Sequence, residues 1–227
     1  MTETVSPAEG LGVVHLFCKP GAGYDAAAAT SAVDAAIEAG TQVVLVSMLG
    51  HKADVAVMAL DADWWALRRL QSSLQAAGLD VVDSYVSLTE ISEYAAGVPE
   101  EMRNMRLYPQ LADVGSDKPA WCFYPMSKKR EGHANWFTTE FEKRKELMYE
   151  HGTSGRKFKG RILQVITGST GVDDWEWGVT LFGQKPDDLK EVVYTMRFDE
   201  ASSVYAEFGT FYTGIVAPAD QVLDALA

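Results

Sequence analysis

The sequence is poor in the residues from which many sites are assembled. It holds 2 cysteines, Cys18 and Cys122, and 4 histidines in 227 residues. Both cysteines fall in apolar, strand-like segments, which favours buried free thiols, and no Cys-x-x-Cys-His occurs to attach a c-type haem. There is no Gly-x-Gly-x-x-Gly after a strand, no P-loop, no His-Glu-x-x-His and no Gly-x-Ser-x-Gly. Nucleotide-binding, zinc-protease and serine-hydrolase readings therefore have no anchor. No run approaches the roughly eighteen apolar residues of a membrane span, and Met1-Thr2-Glu3-Thr4-Val5 lacks the positive flank and apolar core of a signal peptide. A cytoplasmic location is the expectation. With 20 basic against 32 acidic residues the net charge is −12, which argues against nucleic acid as a partner. Local basic clusters at Lys128-Lys129-Arg130 and at Arg156, Lys157, Lys159 and Arg161 can still attract a small polyanion.

What is present is ordinary globular composition, 47% hydrophobic and 23% charged, in a chain long enough for one large domain or two fused small ones. Residues 12–18, 42–48, 53–60 and 79–88 read as strands, with Gly50-His51-Lys52 as a turn. The alanine-rich segment 26–39 reads as a helix. A second, capped by Asp61 or Asp63 and stopped by Gly78, carries Leu67, Leu70 and Leu74 as a buried stripe. The order βαββαβ is ferredoxin-like. His15 and His51 have no second ligand at metal spacing and read as structural or solvated.

The connector is mixed, with a boundary between residues 95 and 118, so the halves are taken as 1–100 and 101–227. Beyond it the order recurs. A strand at 120–124 is ended or edged by Pro125, and a helix capped by Thr138 or Thr139 runs to His151 with Gly152 as its stop. Strands follow at 161–167 and 175–182, then a helix from Pro186 to Arg197 and a strand at 208–214. Two such halves can set their sheets side by side and leave a pocket between sheet and helices, an α+β architecture.

Chemistry concentrates between Tyr124 and Phe182. His151 follows Leu147 by one turn and faces whatever that leucine faces. Gln164 interrupts the apolar strand Ile162-Leu163-Gln164-Val165-Ile166, where burial would be costly. One histidine with apolar neighbours and nearby basic groups suits axial ligation of a haem-type iron, although spacing alone favours a satisfied core histidine. Lys128 to Arg130 can be a solvated charge run, Arg197 a helix-terminal charge, Tyr124 an edge-strand tyrosine, and Trp136 either core or redox partner. Trp175, Trp177, Phe182, Phe208, Phe211 and Tyr212 read as core and pocket wall. His133, in a polar loop, reads as solvated.

Several segments together resemble the coproheme decarboxylases of the chlorite dismutase-like superfamily. They are Arg106-Leu107-Tyr108-Pro109, Phe123-Tyr124-Pro125-Met126-Ser127-Lys128-Lys129-Arg130, Asn135-Trp136-Phe137, His151-Gly152, Ile166-Thr167-Gly168-Ser169, Trp175-Glu176-Trp177-Gly178-Val179-Thr180-Leu181-Phe182 and Met196-Arg197-Phe198-Asp199-Glu200. The likeness runs from about residue 84 to 214.

The resemblance implies tandem ferredoxin-like halves of the dimeric α+β barrel type, assembled as a homopentamer, with haem held by the C-terminal half. It implies peroxide-dependent decarboxylation of iron coproporphyrin III (coproheme) to haem b through a three-propionate intermediate. A transient partner that hands over coproheme is implied with it. By the same resemblance His151 is the proximal iron ligand, Gln164 the distal-side residue, and Tyr124 the radical-forming tyrosine. Lys128 is linked to the second propionate, and Arg106, Met126, Arg197 and Ser202 line or bond the propionates. Arginine and lysine suit that carboxylate-rich ligand. The connector between Arg106 and Tyr124 lacks the distal histidine of some relatives, and glutamine is a poor base. Competing readings are chlorite dismutase, which goes with a distal arginine, and a haem-binding or delivery protein without turnover.

Overall fold

The first half follows the expected order: β1 (Gly12–Pro20), α1 (Ala26–Glu38), β2 (Gln42–Met48), β3 (Val55–Asp61), α2 (Trp64–Ala76) and β4 (Leu79–Thr89). Asp25 and Asp63 cap the helices by accepting the N–H groups of Ala28 and Trp65. Leu67, Leu70 and Leu74 are buried against the sheet. The connector holds two short helices, α3 (Glu100–Leu107) and α4 (Val114–Asp117), that the sequence pattern does not announce. The second half contains β5 (Ala120–Lys128), a small hairpin of β6 (Arg130–Glu131) and β7 (Ala134–Asn135), α5 (Phe141–Arg156), β8 (Ile162–Gly168) and β9 (Trp177–Gly183). It ends with α6 (Pro186–Met196), α7 (Glu200–Ser203), β10 (Ala206–Phe208), β11 (Tyr212–Val216) and α8 (Ala219–Asp224). This computed structural model describes residues 3–95, 97–132 and 134–227, so His133 lies outside the described residues.

Each half has the ferredoxin-like strand order, β4-β1-β3-β2 in the first and β8-β9-β5-β11 in the second. The sheets are more than neighbours. β11 pairs with β2 and β4 pairs with β8, so every strand except the β6–β7 hairpin joins one 9-stranded sheet that closes on itself through β5 and β9. The β11–β2 seam is tight, because a Cβ at Gly214 would collide with the Ser47 carbonyl. Alternation then sorts side chains inward or outward. Phe17, Trp121, Phe123, Val165, Phe182 and Tyr212 join one interior core. Outside, Leu16 and Val57 pack with Val33 of α1, Leu74 of α2 and Val222 of α8, while Tyr124, Val179 and Leu181 pack with Leu189 and Val192 of α6.

Four local expectations are corrected. Gly152 does not stop α5, which runs to Arg156, since a glycine with helical φ weakens a helix without ending it; the turn to positive φ comes at Gly160. Neither Thr138 nor Thr139 caps that helix, because both hydroxyls donate to the Asn135 carbonyl, and Glu140 occupies the cap without a side-chain bond. Pro125 does not end β5. Its carbonyl accepts the Gly209 N–H on the side where β10 and β11 break, so its missing donor faces that interruption. The final strand is accordingly two, split at residues 209–211.

His15 lies wholly inside the barrel, stacked on Phe123 at 4.2 Å between centroids, with Nε2 3.0 Å from Thr180 Oγ1 and Nδ1 without a partner among the described residues. Burial drives its pKa down to about 3. A folded-state value below the unfolded one means that the unfolded chain takes up the proton first as pH falls. Stability supplied by neutral His15 is therefore full above pH 6.5 and is lost progressively towards pH 3. In urea unfolding, lowering the pH from 6.5 to 5 should cost the native protein roughly 2 kcal/mol more than a His15→Gln variant. Equal losses would remove His15 as the cause.

Candidate functional site

The outer face of the second sheet carries three cross-strand rows set by strand register. Gln164, Leu181 and Cys122 form one, Ile166, Val179 and Tyr124 the next, and Gly168, Trp177 and Met126 the third. Tyr124, Met126 and Lys128 alternate along β5 and so share this face. Gln164 and Tyr124 are two strands and one row apart, roughly 12 Å between Cα atoms from standard strand spacing and rise. Gln164 is exposed here, and Ile166 beside it is 44% exposed, so the expected burial cost of the glutamine does not arise. Tyr124 is buried, stacked on Phe211 at 4.4 Å and edge-on to Phe208 at 5.7 Å. Burial raises its phenol well above the ordinary tyrosine value, with nearby Cys122 adding to this and Arg197 opposing it. The neutral O–H form is strongly favoured.

His151 sits on α5 one turn after Leu147, and both side chains reach α7. Leu147 packs with Ala201, while His151 Nδ1 lies 2.9 Å from Asp199 Oδ2 and 3.3 Å from Ser202 Oγ. Asp199 caps α7, receiving the Ser202 N–H at 2.9 Å. Burial by itself would raise this carboxyl. The bonds from His151 and Ser202 reverse the effect and hold it below the usual carboxylate range. An anionic acceptor at Nδ1 fixes the proton there and leaves Nε2 as a lone-pair donor, the arrangement found behind metal-ligating histidines.

Lys128 is buried rather than solvated. Its Nζ donates to the Ala201 carbonyl at 2.6 Å and sits 4.4 Å from the centre of the Trp136 ring. Desolvation lowers its pKa to about 8, against the pull of Asp199 and Glu176. Glu176, also buried, accepts the Lys128 backbone N–H at 2.8 Å and pairs with the exposed Arg130 at 3.1 Å. Arg197 ends α6 with its guanidinium 4.9 Å from the Phe208 ring, which brings it beside Tyr124. Arg106, in the last turn of α3, is exposed and makes no hydrogen bond or ion pair among the described residues.

The site thus joins Tyr124, Met126, Lys128, His151, Arg197 and Ser202 around β5, α7 and the end of α6. Gln164 shares the wall, and Arg106 is not drawn in. Sequence reasoning passed over the roles of Asp199 and Glu176. The Asp-x-x-Ser cap signal at Asp199 was visible, but its partner stands 48 residues away. The donor set suits an iron porphyrin: one imidazole whose Nε2 makes no hydrogen bond among the described residues, an apolar wall, and basic groups at its margins. Among the described residues no three His, Cys, Asp or Glu side chains gather as a metal cage. Lys128 should be the first lysine to lose its proton, near pH 8, in NMR of a sample with ¹³C-methylated lysines. Titration together with the exposed lysines would show its ammonium to be solvated.

Comparison with known proteins agrees with this architecture. Residues 24–217 match the family model described as chlorite dismutase. A coproheme decarboxylase of Staphylococcus carnosus is 43% identical over 186 residues, covering 77% of this chain and 72% of that protein. One from Staphylococcus saprophyticus is 40% identical over 189 residues, covering 80% and 75%. A solved haem-binding protein of Thermus thermophilus superposes with a TM-score of 0.84 at 32% identity, covering 99% of each chain. A chlorite dismutase variant of Candidatus Nitrospira defluvii, at 17% identity and a TM-score of 0.77 over 97% of each chain, shares the fold. Fold, matched span and sequence identity together make this chain a member of the chlorite dismutase family.

Proposed function

We propose that this protein is a coproheme decarboxylase, converting iron coproporphyrin III to haem b with hydrogen peroxide. The observation that carries the reading is His151, whose Nδ1 lies 2.9 Å from Asp199 Oδ2, a support that would orient the ring for Nε2 to meet iron. The 40–43% identity to proteins named for this activity supports it. His151 would hold the iron, Gln164 would stand on the sheet side, and Met126, Arg197 and Ser202 would border the propionates, with Arg106 reaching in from the connector. When bound, the iron centre couples peroxide reduction to one-electron oxidation of its neighbours.

Tyr124 then does the selective work. Its phenol gives up an electron and a proton, and the resulting radical takes a hydrogen atom from the β-carbon of a propionate. Loss of carbon dioxide and one further electron leaves a vinyl group. For each group the balance is one propionic acid and one hydrogen peroxide giving one vinyl, one carbon dioxide and two waters, and two such rounds yield haem b. Lys128 pins α7, and with it Asp199 and Ser202 behind His151; acting on the second propionate requires its ammonium to leave the Ala201 carbonyl. Chlorite dismutation is the weaker reading. Gln164 occupies the wall, and Arg161, the arginine nearest it in sequence, is tied to Asp188 at 2.7 Å and Glu191 at 3.0 Å.

Titrating peroxide into protein loaded with iron coproporphyrin III, and following porphyrin mass by chromatography, tests the reading directly. Two successive losses of carbon dioxide and two hydrogens are expected. Binding without any mass change, while peroxide is consumed, would sink it. Tyr124→Phe should retain the porphyrin and lose vinyl formation by at least about a hundredfold, the scale of removing a group that acts in the chemical step. Unchanged turnover would dismiss the radical role. His151→Ala should weaken iron-porphyrin retention by roughly 10-fold or more and alter the visible spectrum; an unaltered spectrum would exclude it as axial ligand.

A further inference from the structure

The third cross-strand row extends further than the site described so far. From Gly168 on β8 it passes through Trp177 on β9 and Met126 on β5 to Phe208 on β10. Four strands at standard spacing make a band roughly 14 Å across. Its two ends carry opposite charge. Arg197 stacks over Phe208 at 4.9 Å. At the other end the carboxylate of Glu90, a residue just beyond β4, lies over Gly168, where a Cβ would collide with its oxygens. The Trp177 indole N–H donates to Glu90 Oε1 at 3.1 Å. The absence of a side chain at Gly168 and the indole bond together seat this carboxylate on the outer face that bears Tyr124 and Met126. Burial raises the Glu90 carboxyl above the ordinary glutamate value, and the indole bond works against that rise.

We propose that Glu90 is a specificity-determining residue, the acidic pole of a charge-polarised row that dictates which edge of a carboxylate-bearing porphyrin meets which end of the site. The inference rests on the porphyrin reading above and adds to it a residue from outside the second ferredoxin-like unit. The physical basis is differential repulsion. Iron coproporphyrin III carries carboxylates at four positions around a nearly symmetric ring, so turning or flipping the ring exchanges propionates for methyl groups at a given corner. Apolar contacts with Ile166 and Met126 discriminate weakly between such orientations. A fixed anion at one end and a fixed cation at the other discriminate strongly, by repelling carboxylates from Glu90 and pairing them with Arg197. Trp177 supplies the positioning, holding the carboxylate at the Gly168 seat rather than letting it swing into solvent.

The test uses the full-length protein loaded with ferric coproporphyrin III and compares the native chain with Glu90→Gln and Glu90→Lys. The glutamine keeps the acceptor for Trp177 and removes the charge; the lysine reverses it. Hyperfine-shifted ring-methyl resonances report orientation without any turnover. One set is expected in the native protein and additional sets in both variants. Equilibrium titration should show coproporphyrin affinity rising roughly threefold in Glu90→Gln and further in Glu90→Lys, with a smaller gain for haem b, which has two fewer carboxylates. One unchanged set of methyl signals and unchanged affinities in folded, porphyrin-binding variants would overturn the role of Glu90 alone. Failure of the native protein to bind either porphyrin would overturn the porphyrin reading and this inference with it.

Discussion

A sheet closed on itself offers each strand residue only two directions, and in this protein the inward direction is already filled. Phe17, Trp121, Phe123, Phe182 and Tyr212 occupy the interior, and His15 is forced to remain neutral among them. That packed aromatic core leaves the outer face of the second half as the place to meet a ligand. The same alternation that buries Phe123 turns Tyr124 outward, and the pattern repeats for Met126 and Lys128. Pro125 can sit between Tyr124 and Met126 because its partner strand is broken at that point.

The second organising element is α7, a helix of 4 residues. Three ties converge on it: Asp199 and Ser202 to His151, and the Ala201 carbonyl to Lys128. A buried ammonium is costly, and Lys128 offsets the loss of water with a carbonyl, an aromatic face and the field of two carboxylates, yet still ends with a depressed pKa. The arrangement couples the strand that bears Tyr124 to the histidine helix through one short segment. A disturbance at Lys128 therefore reaches His151 without touching it, by way of α7 and the Asp199 carboxylate that holds its Nδ1.

The first half is more than a scaffold for closure. Its last strand delivers Glu90 to Gly168, and the residues that follow dock against the second half, with Tyr94 stacked on Phe141 and bonded by Arg144 at 3.0 Å. The edge of the wall is thus built from both halves. This follows from the β4–β8 pairing, which is long-range in sequence and short in space.

The sequence by itself determined the periodicities, and with them the tandem βαββαβ order, the leucine stripe of α2 and a helix cap at Asp61 or Asp63. Those are local consequences of side-chain spacing and hydrogen-bonding capacity. Tertiary structure alone decided the rest. It decided that the two sheets close into one barrel, since the seams at Gly214 and Thr89 pair residues far apart in the chain. Solvent access decided that Gln164 stands exposed while Lys128 is buried, which composition cannot foretell because either residue type is usually exposed. The partnership of His151 with Asp199, and the seat of Glu90 beside Trp177, likewise arise only when the chain folds, because a hydrogen bond of 3 Å between distant residues leaves no mark in their spacing.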